Sequence, residues 1–123
     1  MRIPISYALG WPERHPFSSE RLDFAKLGQF TFEAPDHERF PALRIATDAL
    51  ASGKSAPAIL NAANEEAVRG FLMNKIGFLD IIHVVETVLE RSDFVELSSI
   101  DDVIDQDTEA RVLAREILAS LTR

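Results

Sequence analysis

From residue 37 onward, apolar residues recur every three or four positions in successive stretches, with Gly53, Gly77 and the Ser98-Ser99 pair between them. That is the period of helices that each bury one face. The first helix is expected to start near Pro41, turn Phe40, Leu43, Ala46 and Leu50 inward, and stop at Gly53. The second is expected over 57–75, with Leu60, Ala63, Ala67, Phe71 and Leu72 as its stripe and Gly77 closing it. The third is expected over 79–91, with Leu79, Ile82, Val85 and Leu89 on one face. Ser98-Ser99 should cap a short helix holding Ile100, Val103 and Ile104. A last helix is expected over 108–121, with Ala110, Leu113, Ile117 and Leu121 as its stripe. Short links between amphipathic helices lead to a small antiparallel bundle.

The first 36 residues read differently. Pro4 to Leu9 suits a short helix stopped by Gly10, and Trp11-Pro12-Glu13-Arg14-His15-Pro16 is a turn-rich exit. Phe17 to Gly28 reads as a linker with Leu22, Phe24 and Leu27 as apolar anchors. Phe30-Thr31-Phe32 alternates in the manner of a short strand, ended by Ala34-Pro35-Asp36. The expected fold class is therefore mostly α: a small four-helix bundle over 37–123, preceded by an extended arm over 1–36 with a short helix and a short strand.

With 123 residues, 46% of them hydrophobic, the chain can form one core. It has no cysteine, which excludes disulfides and thiolate metal sites. No apolar run approaches the roughly 20 residues that span a bilayer. Met1-Arg2-Ile3-Pro4 lacks the apolar stretch of a signal peptide, so the cytoplasm is the expected compartment. The net charge of -7 argues against nucleic acid as a partner. That charge is concentrated: Asp93, Glu96, Asp101, Asp102, Asp105, Asp107 and Glu109 share a stretch without Lys or Arg.

Chemistry-bearing motifs are sparse. The five glycines never reach the spacing of a dinucleotide fingerprint or a phosphate-cradling loop. Asp105-x-Asp107-x-Glu109, with Glu116 further on, faintly resembles a calcium loop, but Ala110 stands where the sharp turn needs glycine. A helix start with acids near its N-terminus explains the segment better. His83 and Glu86, three apart on a helix, fall short of a metal site, and His15 and His37 have no third ligand at motif spacing. The most unusual stretch is Leu60-Asn61-Ala62-Ala63-Asn64-Glu65-Glu66. Asn61, Asn64 and Glu65 share one helical surface, and asparagine is a poor helix-interior residue. A buried polar contact that sets packing is the leading expectation for them. A ligand contact, or a catalytic carboxylate at Glu65, is the alternative.

Several runs together resemble the C-terminal part of the 1-deoxy-D-xylulose-5-phosphate reductoisomerase family. They are Met1-Arg2-Ile3-Pro4-Ile5, Tyr7-Ala8-Leu9, Trp11-Pro12-Glu13-Arg14, Leu22-Asp23-Phe24, Phe30 to Asp36, Arg39-Phe40-Pro41, Leu60 to Glu65, and Phe78-Leu79-Asp80-Ile81. The resemblance implies the end of the catalytic domain and a linker over 1–36, and a C-terminal helical bundle domain over 37–123. It implies an NADPH-dependent enzyme that uses a divalent metal (Mg or Mn), usually as a homodimer, in isoprenoid precursor synthesis. Its NADPH-binding and catalytic domains would lie upstream. Met1 alone matches a position that the family places near the nicotinamide, as an apolar contact. No catalytic residue and no metal ligand is expected in this chain, which by itself should need no cofactor and be inactive. The alternative is a stand-alone helical interaction module derived from the same domain.

Overall fold

The computed structural model describes residues 1–16, 18, 20 and 22–121. Expectations that touch Phe17, or the last two residues of the bundle, lie outside the described residues. The chain divides into two compact units, Met1–Ala34 and Pro35–Arg123. Six helices form among the described residues, none of them long and apolar enough to cross a membrane.

The first unit carries α1 (Arg2–Gly10) and α2 (Phe24–Leu27). Pro4 falls in the first turn of α1, where its missing N–H is not needed. The helix ends before Trp11, which takes an extended conformation at φ -50, ψ 135 because it precedes Pro12. Gly10 allows the following turn to close: a Cβ there would stand 2.5 Å from the His15 ring. Asp23 caps α2 by accepting from the amides of Ala25 and Lys26. None of the described residues in this unit is buried.

The short strand expected at Phe30-Thr31-Phe32 does not form. The alternation does bring the two rings together, with centroids 6.3 Å apart. A strand, however, needs a neighbour to receive its N–H and C=O groups, and no described segment supplies one.

The second unit is the bundle: α3 (Ala42–Ser52), α4 (Ala56–Leu72), α5 (Asp80–Arg91) and α6 (Ile100–Leu121). Helix α4 is central and packs against all three others, while α5 also packs on α6. Its buried side is mostly small: Ala56, Ile59, Ala62, Ala63, Ala67 and Gly70. Such residues let neighbours approach closely, and Val84, Val88, Ala114 and Ile117 fill the space around Ile59 and the alanines. Ser55 ties the loop after α5 to the start of α4. Its N–H donates to Val95 O, and its hydroxyl accepts from Val95 N, both at 3.0 Å.

Three sequence expectations are corrected here. Helix α3 buries Ile45 and Ala49, not the stripe of Phe40, Leu43, Ala46 and Leu50; Leu43 stays 54% exposed and Leu50 73%. The helix has two apolar stripes, and the turn at Gly53 (φ 64) and Lys54 (φ 52) decides which one meets α4. Helix α4 ends at Leu72 because Asn74 takes a left-handed conformation (φ 56). Lys75 N bonds Gly70 O and Asn74 N bonds Phe71 O, which is a Schellman closure placed before Gly77.

Finally, the expected short helix and last helix are one, α6. Ser99 and Asp102 form a reciprocal cap at its start: Asp102 N donates to Ser99 Oγ at 3.1 Å, and Asp102 Oδ2 accepts from the amides of Ser98 and Ser99. Thr108 does not begin a new helix, since its hydroxyl donates back to Ile104 O at 2.8 Å. Pairs three and four apart, Gln106–Glu109 and Asp107–Arg111, carry the polar stretch through.

Candidate functional site

The densest polar chemistry lies between α4 and α6, on a residue that the sequence argument passed over. Glu66 is 4% exposed, the one buried ionisable side chain among the described residues. Three guanidinium groups reach it. Arg115 donates through Nε and Nη2 at 3.1 and 3.0 Å, Arg111 at 3.4 Å and Arg69 at 3.5 Å. The hydrogen bonds from Arg115 are the main cause that holds the Glu66 carboxyl below its ordinary value, against the opposing effect of burial. Arg111 is itself held by Asp107 at 2.6 and 3.0 Å and by Glu65 at 2.7 Å, and these acids raise its pKa further. Glu66 likewise raises the pKa of Arg115, so the carboxylate and its two α6 guanidinium groups favour each other's charged forms. The cluster clamps α6 onto α4.

A signal for it was present in the sequence. Ala62, Glu66 and Gly70 follow at intervals of four, so a carboxylate sits inside the stripe of small residues. Arg111 and Arg115 repeat the same interval on the partner helix.

The structure overturns the expectation of a buried polar contact at Asn61, Asn64 and Glu65. All three are exposed. Asn61 reaches Glu65 only at 3.5 Å, and Asn64 makes no side-chain hydrogen bond among the described residues. The alanines between them, Ala62 and Ala63, point into the core, so the asparagines must point out. Glu65 does join the α4–α6 cluster, through Arg111.

The remaining candidates stay apart. Met1 is 90% exposed and, with Arg2, Ile5, Leu9 and His15, borders a groove along α1. His83 is exposed, while Glu86 pairs with Arg44 at 3.3 Å. Asp105, Asp107 and Glu109 lie within the continuous α6, so no calcium loop wraps there. Among the described residues no three His, Cys, Asp or Glu side chains group as a metal site. The described side chains thus offer no ligand set for a catalytic metal.

The sequence profile of the DXP reductoisomerase C-terminal domain matches residues 1–113. The chain belongs to that family. It is 50% identical over 121 residues to the 1-deoxy-D-xylulose 5-phosphate reductoisomerase of Zymomonas mobilis, covering 98% of this chain and 31% of that protein. Against the same enzyme of Chlorobium limicola the identity is 51% over 118 residues, with 96% and 31% covered. The structure superposes on that of the Zymomonas mobilis reductoisomerase in complex with NADPH with a TM-score of 0.84, over 95% of this chain and 31% of that one. A DOX-P reductoisomerase in complex with magnesium gives a TM-score of 0.80 at 33% identity, over 98% and 32%. The chain thus spans about a third of the length of the relatives it matches.

Proposed function

We propose that this chain serves as the C-terminal segment of an NADPH-dependent reductoisomerase that converts 1-deoxy-D-xylulose 5-phosphate to 2-C-methyl-D-erythritol 4-phosphate. In this reading, residues 1–36 are the end of the catalytic domain and the linker, and residues 37–123 are the C-terminal helical bundle. Domains that this sequence does not contain supply the NADPH site and the Mg or Mn site, in a cytoplasmic homodimer. The chain supports the active site and carries neither hydride nor proton. The observation that carries the reading is the 50% identity along nearly the whole chain to an enzyme of this name. It is supported by a polar cluster that holds α4 and α6 together, with the Arg115 hydrogen bonds keeping the Glu66 carboxyl below its ordinary value. Met1 is the one residue assigned to the cofactor, as an apolar contact on the nicotinamide side.

A chimera tests this. The C-terminal third of the Zymomonas mobilis enzyme is replaced by residues 1–123, and NADPH oxidation is followed with 1-deoxy-D-xylulose 5-phosphate and magnesium. The chimera should turn over and the 123-residue chain alone should not. A folded but inactive chimera, or steady turnover by the chain alone, would refute the proposal.

A further inference from the structure

Glu66 does not use up the donors that surround it. Arg115 grips it side-on through Nε and Nη2, which leaves Nη1 without a partner among the described residues. Arg69 makes one long contact through Nη1 and keeps Nε and Nη2. Lys75 is exposed and forms no ion pair among the described residues. All three cations line one cleft of about 390 Å³ formed by the C-terminal halves of α4 and α6 and the turn after α4. Glu66 is the only acid in that lining, and Met73 and Leu118 are among its apolar members. Three cations against one carboxylate leave the cleft with a net charge of two positive, in a chain whose overall charge is -7.

We propose that this cleft is an anion site that takes a dianionic phosphate group, either as inorganic phosphate or on a small phosphorylated molecule. The charge of such a group matches the local excess, whereas a single carboxylate would leave one cation uncompensated. Guanidinium presents its donors in a planar fork that suits phosphate oxygens. The bidentate grip of Glu66 holds that fork in place beforehand, so less side-chain entropy is lost on binding. Apolar walls around cations focus the field that draws an anion in. The volume falls within the roughly 300–1,000 Å³ of ordinary small-ligand clefts. Nucleic acid is a poor fit, because the chain as a whole carries a net charge of -7.

The test is an amide and guanidinium NMR titration of the 123-residue chain, with inorganic phosphate in one arm, glycerol 3-phosphate in a second and chloride at matched ionic strength in a third. Saturating shifts at Gly70, Ala119 and Arg115 Nε are expected in the two phosphate arms, with dissociation constants of about a millimolar or tighter. Equal constants assign the site to the phosphate group alone; tighter binding of glycerol 3-phosphate adds the apolar wall. Arg69→Gln with Lys75→Gln should weaken both at least about tenfold while core resonances stay in place. Lys75→Glu alone, at a residue that makes none of the Glu66 hydrogen bonds, should do so too. Non-saturating shifts shared with chloride, or unchanged affinity in both variants, would overturn the assignment.

Discussion

Glu66 is the residue on which the bundle is most exposed to acid. Its carboxyl is held below the ordinary 4.5, first by the Arg115 hydrogen bonds. A group with a depressed folded pKa contributes stability above its unfolded value and loses that contribution as pH falls through the folded one. The Glu66 contribution is therefore complete above 4.5 and fades below it. Glu66→Gln should lower the unfolding free energy in urea by roughly 1–3 kcal/mol at neutral pH. That range sits below the cost of breaking a fully buried pair, because Arg69 and Arg115 are more than half exposed and screened by water. The gap between variant and wild type should close on acidification; a gap constant down to the acid transition would show that Glu66 acts through packing and not charge. Asn64 is the opposite case. Being exposed and without a side-chain hydrogen bond among the described residues, it should tolerate alanine within about 0.5 kcal/mol, measured the same way.

At the scale of the element, α6 shows how one cap can unify a helix that looks like two. The reciprocal bonds between Ser99 and Asp102 start it, and the Asp102 carboxyl is held low by the Ser98 amide first and the Ser99 groups after it. Ser99→Ala should cost about 1 kcal/mol. Hydrogen exchange should rise along 100–104 and stay slow near Ala114 and Ile117, which pack in the core. Faster exchange along all of α6 would mean that its core packing, not its cap, depends on Ser99.

Taken as a whole, the molecule is uneven. Residues Pro35–Arg123 own a core, whereas the described part of Met1–Ala34 buries nothing and leaves Leu9 at 86%, Trp11 at 69% and Phe32 at 89% exposure. Native-state hydrogen exchange on a monomer should find 37–121 protected and 1–30 fast, since helices without tertiary cover are marginal in water. Equal protection along both segments in a proven monomer would contradict a first unit without a core.

Much of the helical content was legible because it follows from local rules. Glycine stops, the Ser98-Ser99 cap and the three-to-four spacing marked α3, α4 and α5 to within a few residues and located both ends of α6. The family was legible too, since strings such as Leu60 to Glu65 need no fold to be recognised. What the local rules left undecided is direction and partnership. A helix such as α3, apolar on two sides, does not say which side is inward; the backbone turn at Gly53–Lys54 and the position of α4 say it. Asn61 and Asn64 share a helix with Glu66, but only the approach of α6 sorts them into exposed amides and a buried carboxylate. Phe30-Thr31-Phe32 has the pattern of a strand and no ladder partner among the described residues. Spacing along a chain reports which side chains share a face; burial depends on what covers that face, and only tertiary packing supplies the cover.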